Sequence, residues 1–450
     1  MTRKVFFLAL MIFSLAASAQ DTAFLTRVVN STLVQPVREK VYLHLNKPSY
    51  YPGDTIWFKA YTVTGNGHHL SSLSGVLYAE LIGPKDSVIS RQTLKLISGL
   101  SWGEFILPRG TGGGIYHVRA YTNWMRNEGQ EYFFNQRITV AGPALMDARF
   151  SLPPRQEGVT KAEAHPDIQF LPEGGNLVVG LRSRVAFKAV GGNGLGMDVS
   201  GTIVDNDDNV IADFTSQHLG MGVFALTPQP GKTYHARVNV AGEQAFTVDL
   251  PKAIASGFTL SVDNKEKDSI YLRIAANDKL LSADAGNKFY VIGQAGGKVY
   301  YTTEGQLTEP VFMARVERSR FPTGIMQFTL FSKDGRPVNE RMIFVRTDDA
   351  MKLSISGVAA VNTPRQKMQI NLAADTLSSL SVSVINESRV PFNENDESTI
   401  LSHLLLTSDL KGNIEQPNYY FTDENDQKLA DLDVLMLTQG YARFGWQKIL

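Results

Sequence analysis

The residues able to do chemistry are scattered along this chain rather than grouped. Eight histidines stand at 44, 68, 69, 117, 165, 218, 235 and 403, and none shows the i, i+4 pairing of a metalloprotease zinc site. His68-His69 falls in a Gly/Asn/Ser loop and reads as a surface turn rather than a metal site. His117 and His235 occupy equivalent places in two similar strands, which puts both on a solvent face. Asp205-Asn206-Asp207-Asp208-Asn209 crowds three carboxylates together and raises calcium. It lacks the glycine at loop position six and the bidentate glutamate at twelve of an EF-hand. A hairpin turn between Ile203-Val204 and Val210-Ile211 explains it better. Glu394 to Glu397 and Asp423 to Asp426 read as solvated loops. No serine is read as a nucleophile elbow, and Gly112-Gly113-Gly114 opens no helix that could cradle a phosphate. Paired carboxylates for glycoside hydrolysis are a three-dimensional fact, and no pair stands out.

The chain contains no cysteine. That removes a cysteine nucleophile, a zinc–thiolate site and the acylated cysteine of a lipoprotein. No cofactor and no metal is expected. One constellation reads as a partner surface. Tyr121, Trp124, Met125 and Arg126 stand at a strand end and turn, and Trp, Tyr and Arg are enriched at interface hot spots. The competing reading packs Trp124 and Met125 against the core or the next domain.

The elements that would position these residues are almost all strands. In Glu39 to Thr64, Val41, Leu43 and Leu45 share one face, as do Ile56, Phe58 and Ala60, and Pro52-Gly53 suits the centre of a tight turn. Asp54-Thr55-Ile56-Trp57-Phe58-Lys59-Ala60 is echoed by Asp268 to Ile274 and more loosely by Ser183 to Ala189. A glycine leading into a second alternating strand follows each, at Gly114, Gly324 and Gly231. The fold class is therefore all-β: tandem immunoglobulin-like sandwiches with a short α-helical C-terminal segment. The expected division is sandwiches at 39–141, 165–250 and 257–347, a linker at 142–164, and a fourth sandwich with a helical insertion at 351–450. There, strands are expected at Met368 to Leu372 and Leu380 to Ile385, and helices from Ser398 to Leu410 and Lys428 to Thr438. The apolar ending Trp446 to Leu450 reads as cut short or as a docked terminal strand.

At 450 residues the chain is long for one core, since domains average about 150 residues. Lys+Arg and Asp+Glu are both 44, so charge balance gives no reason to expect nucleic acid or an anionic membrane as the main partner. Met1-Thr2-Arg3-Lys4, the apolar run Val5 to Leu15 and Ala17-Ser18-Ala19 match a secretory signal peptide over 1–19. The alternative is an N-terminal anchor. Residues 20–38 read as an amphipathic lead-in.

Lys47-Pro48-x-Tyr50-x-Pro52-Gly53-Asp54-Thr55-x-x-Phe58-Lys59 resembles the signature of the second macroglobulin-type domain of alpha-2-macroglobulin-like proteins. Gly114-x-Tyr116-x-Val118-Arg119-Ala120-Tyr121 is similar to the closing strand of that domain, and Leu380 to Glu387 to a core strand of a later one. Phe170-Leu171-Pro172-Glu173-Gly174-Gly175 and Asn339-Glu340-Arg341 resemble segments of exported gram-negative relatives. The resemblance implies macroglobulin-type sandwiches, often followed by a plug domain of TonB-dependent receptors. Thioester members of the family carry Cys-Gly-Glu-Gln; here Ala241 precedes Gly242-Glu243-Gln244, and alanine supplies no thiol.

The function expected is a non-enzymatic binding or scaffold module in the periplasm or at the outer membrane. Its partner would be an envelope protein, peptide or glycan, and it would be linked to outer-membrane transport. Two other classes stay open: a steric protease inhibitor, and a carbohydrate-active enzyme with carboxylates facing across a cleft.

Overall fold

The computed structural model describes residues 37–142, 165–284, 288–358, 363, 365–387, 390 and 392–439. The expected signal peptide, most of the lead-in and linker, and the ending at 440–450 lie outside them. Alternation of apolar and polar residues turns into two-layered antiparallel sheets three times over. In the first sandwich, Glu39–Leu45, Thr55–Thr64 and Leu100–Ile106 form one sheet with the short strand His69–Leu70. It faces a five-stranded sheet in the order Ser49–Tyr50, Phe134–Val140, Gly114–Thr122, Val76–Ile82, Val88–Lys95.

The second sandwich repeats the plan. Asp167–Pro172, Ser183–Val190 and Met221–Leu226 face Val210–Thr215, Ser200–Asp205, Tyr234–Asn239 and Phe246–Asp249. The third sets Phe258–Asp263, Ser269–Ala276 and Val311–Glu317 against Lys298–Gln306, Lys288–Ala295, Gly324–Ser332 and Pro337–Val345. The repeat seen in the sequence is thus the middle strand of the smaller sheet, each time paired on both sides. Val41, Leu43, Ile56, Phe58 and Ala60 all point into the first core, as their alternation predicts.

The opening stretch is more than a hairpin. Asp54 N–H donates to the Tyr51 carbonyl at 3.0 Å around Pro52-Gly53, and Gly53 takes φ +93°. Asp54 also accepts from Tyr51 N–H at 2.8 Å and pairs with Lys47 at 2.5 Å. Between the two long strands, Ser49–Tyr50 crosses to the opposite sheet and pairs in parallel with Phe134–Val140. Tyr50 buries its ring there while its hydroxyl donates to Asn46 Oδ1 at 2.8 Å.

Residues after 350 behave differently. The hydrogen-bonded strands among the described residues there are the pair Leu353–Ser356 and Asn371–Ala374. Leu380 to Ile385 alternates as expected but joins no sheet. Its small hydroxyls meet the first sandwich instead: Lys59 Nζ donates to Ser379 Oγ at 2.7 Å, Tyr61 OH to Ser381 Oγ at 2.8 Å, and Ser383 Oγ to the Asn46 carbonyl at 2.5 Å. The helix α1, Asp278–Asp284, was not expected. Helix α2, Ile400–Leu405, ends well short of the expected Leu410, and Thr399 rather than Ser398 caps it, forming a capping box with Ser402. Helix α3 runs from Asp426 to Thr438 with Asn425 as its cap. Leu429, expected inward, is exposed; Leu432, Val434, Leu435, Met436 and Leu437 are all buried, because α3 sits between two sandwiches rather than on one.

Candidate functional site: a charged joint between sandwiches

The two short segments singled out in the sequence, Phe170 to Gly175 and Asn339 to Arg341, meet in space. Pro172 closes the strand Asp167–Pro172, and Glu173 N–H donates to the Arg184 carbonyl at 2.8 Å. That turns the Glu173 side chain toward the third sandwich, where it is buried. Gly174 follows with φ +82°, a region that favours glycine. A Cβ there would lie 2.9 Å from the Leu260 carbonyl oxygen and 3.3 Å from Asn339 Nδ2. The space is used by hydrogen bonds: Asn339 Nδ2 donates to the Gly174 carbonyl at 3.0 Å, and Glu340 N–H to the same oxygen at 3.3 Å.

On the strand Pro337–Val345, Arg341 lies opposite. Its Nε donates to Glu173 Oε1 at 2.7 Å and its Nη2 to Asp433 Oδ1 of α3 at 2.5 Å; Nη1 donates to the Met342 carbonyl. Arg184 Nη2 reaches the other Asp433 oxygen at 2.8 Å. Two carboxylates and two guanidiniums therefore join the second sandwich, the third and α3. Arg341 keeps only 2% and Glu173 3% of its side chain exposed, so neither charge can turn to water. Burial by itself would raise the Asp433 pKa, but Arg341 and Arg184 outweigh it and hold the carboxyl below the usual range. Burial likewise disfavours the Arg341 charge, and Asp433 and Glu173 outweigh it.

The first sandwich has a similar centre of its own. Glu80, fully buried, accepts from Arg119 Nε at 2.7 Å, Arg91 Nε at 2.7 Å and Tyr121 OH at 3.1 Å. Burial pushes Glu80 up, and the arginines and Tyr121 bring it below the ordinary value. Glu39 accepts from Ser74 Oγ at 2.6 Å, Thr122 Oγ1 at 2.6 Å and Ser71 Oγ. Glu80→Ala should leave the buried Tyr121 hydroxyl unpaired, which costs about 1–3 kcal/mol. A lowered unfolding midpoint with unchanged far-ultraviolet circular dichroism checks it.

The four residues read as a partner surface separate into two pairs. Tyr121 and Met125 are buried, with the Tyr121 ring stacked 4.3 Å from Phe133 and Met125 in the core. Trp124 is 37% exposed and donates Nε1–H to the Val37 carbonyl at 2.7 Å. Arg126 is exposed and stands over the Tyr121 ring at 5.7 Å. Of the two residues that the competing reading packs inward, Met125 lies in the core and Trp124 remains exposed.

The Asp205 loop is a hairpin turn, as read. The Asp205 carboxylate accepts from Asp207 N–H at 2.9 Å, Asn209 N–H at 3.0 Å and Lys232 Nζ at 2.9 Å. Lys232 first, then Asn209, draws its pKa down. Gly242-Glu243 lies in a turn between Tyr234–Asn239 and Phe246–Asp249, not in one continuous strand, and Glu243 faces His165 Nδ1 at 3.4 Å. His117 and His235 lie on outward faces of their strands. His69 is exposed, but His68 turns inward, its Nε2 3.1 Å from the Leu404 carbonyl. One spacing passed over in the sequence, Gly99-Leu100-Ser101-Trp102-Gly103, matches a nucleophile elbow in letters alone. Ser101 sits buried within the strand Leu100–Ile106 and opens no helix.

Burial lowers the His68 pKa to about 4, with Lys40 adding to it and Asp409 and Asp349 opposing. A histidine whose folded value lies below its unfolded value near 6.5 costs stability progressively as pH falls between the two, where only the unfolded chain takes up the proton. The His68 contribution should therefore be lost as pH drops from about 6.5 toward 4, a window in which Glu397, pushed up to about 7 by burial, contributes with the opposite sign; the Glu80 and Asp433 contributions are lost below about 4. In melting curves taken across pH, His68→Gln should gain stability relative to the unaltered chain as pH falls from about 6.5 toward 4, and leave the loss below about 4 unchanged.

No family model matches the chain, and no curated protein matches it. Among solved structures it is similar to Escherichia coli alpha-2-macroglobulin activated by porcine elastase, at 12% identity, covering 75% of this chain and 33% of that one with a TM-score of 0.26. Dimeric latent PorU from Porphyromonas gingivalis is similar at 13% identity over 68% of this chain and 33% of its own, TM-score 0.28. The Escherichia coli adhesin FdeC is similar at 14% identity over 70% and 99%, TM-score 0.16. The chain thus spans about a third of the length of the first two. The sheets themselves define the class: a tandem, all-β sandwich protein. Among the described residues no helix is long and apolar enough to cross a membrane.

Proposed function

We propose that the chain is a non-enzymatic, exported, macroglobulin-like module that binds or scaffolds a protein, peptide or glycan at the gram-negative cell envelope, in connection with outer-membrane transport. One observation carries this reading. The carboxylates best placed for chemistry by burial are each tied to arginines, Glu80 to Arg119 and Arg91 within the first sandwich, Glu173 and Asp433 to Arg341 between sandwiches, and so hold the sheets and sandwiches together. Export rests on the charged start, apolar run and Ala17-Ser18-Ala19 of the sequence. The exposed edge at Trp124 and Arg126 is where a partner would meet the first sandwich.

The test expresses the gene in a gram-negative host, fractionates the cells and sequences the mature N-terminus. The reading expects a chain beginning at Gln20 in the envelope fraction, with no turnover of glycan or peptide substrates. An uncleaved cytoplasmic chain, or hydrolysis abolished by one Glu→Gln substitution, would sink it.

A further inference from the structure

The segment from Glu394 to Gln439 makes contacts with all three sandwiches. Toward the first, Lys40 Nζ donates to the Leu404 carbonyl at 2.8 Å and to Asp409 Oδ2 at 2.7 Å, and His403 Nε2–H donates to the Val41 carbonyl at 2.9 Å. Leu404 itself belongs to the apolar core of the first sandwich. Toward the second and third, Leu406, Leu410 and the buried face of α3 close one cluster with Met221, Met342 and Phe344. Asp433 takes Arg184 and Arg341, and Glu424 takes Arg346 at 2.8 Å. Four of these ion pairs place the cation on a sandwich and the anion on the segment, while Lys411 with Glu131 of the first sandwich at 3.4 Å runs the other way. The second and third sandwiches touch directly as well, through Glu173–Arg341 and Gly174–Asn339. The first meets the third at a loop, where Asn66 Nδ2 donates to the Ala295 carbonyl at 2.5 Å and to Tyr300 OH at 3.2 Å.

We infer that this helical segment is a strap that sets the position of the first sandwich relative to the other two. Each sandwich has its own buried core, so the strap acts on placement rather than on folding. The polar set at Lys40, His403 and Asp409 is the centre of its hold on the first sandwich, with Tyr42 OH on the Ser398 carbonyl at 3.1 Å and Lys411 near Glu131 at 3.4 Å at its rim. A hold of this kind, built from a few charge-assisted hydrogen bonds around one leucine, can be released without dismantling the sheets it joins.

The cysteine-free sequence allows spin labels to be placed at will. Lys95→Cys with Glu304→Cys reports first against third sandwich, and Asp213→Cys with Glu304→Cys second against third; all three positions are exposed. In the otherwise unaltered chain both pairs should give single narrow distance peaks by pulsed electron resonance. With His403→Ala and Asp409→Asn added, the first pair should lose its narrow peak and shift to longer distances while the second keeps its own. Lys40→Met is the independent second variant and should act the same way. The inference is overturned if the first pair stays narrow in both variants, or if Asn66→Ala alone broadens it equally. It is also overturned if the second pair broadens too, since the strap would then be needed for folding.

Discussion

Arg341→Met is expected to destabilise the joined second and third sandwiches by about 3–5 kcal/mol, because it strands the Glu173 carboxylate, which cannot reach water. Methionine fills much the same volume, so the loss is electrostatic rather than a cavity. Glu173 and Asp433 would both lose the guanidinium they face, at 2.7 and 2.5 Å. Arg184 keeps Asp433 company at 2.8 Å but stands 3.9 Å from Glu173, too far to replace a hydrogen bond. Denaturant unfolding should show the drop in the transition reported by these two sandwiches. Adding Glu173→Gln to Arg341→Met should recover part of it, since the stranded charge is then gone.

Gly174→Ala carries the second large effect, and Gly175→Ala is its control. Both glycines have positive φ, +82° and +101°, so each substitution meets backbone strain of roughly 1–3 kcal/mol. Only Gly174 also meets a neighbour, the Leu260 carbonyl oxygen at 2.9 Å; at Gly175 nothing lies within 4 Å. Overpacking of that kind adds roughly 1–3 kcal/mol. Gly174→Ala should therefore melt clearly below Gly175→Ala. Equal melting temperatures would mean that the close approach of the two sandwiches at this glycine does not matter.

The sandwiches were legible because their signal is local. Val41 to Leu45 and Ile56 to Ala60 alternate with period two, and Pro52-Gly53 marks the turn whatever the rest of the chain does. The same rule exposed the three repeated middle strands. It failed where tertiary contact replaces sheet pairing: Leu380 to Ile385 alternates, yet Ser381 and Ser383 bond across to Tyr61 and Asn46, and the Leu380 carbonyl accepts from Lys59. It also misplaced Leu429, since a helix lying between two sandwiches buries more than one stripe. The joint itself was half visible. Glu173-Gly174 and Asn339-Glu340-Arg341 stood out as segments, but they are 168 residues apart at Glu173 and Arg341, and nothing local says that they touch. Asp433 gave no signal at all, because a charged residue on a helix is read as solvated until its partner is known.

The buried charges of this chain join its sandwiches to one another, and a double-mutant cycle on Glu173→Gln and Arg341→Met tests this most directly. A coupling energy of about 1–3 kcal/mol is expected between the two positions, as for residues in one buried network. Effects that add to within about 0.3–0.5 kcal/mol, as for distant independent sites, would contradict it.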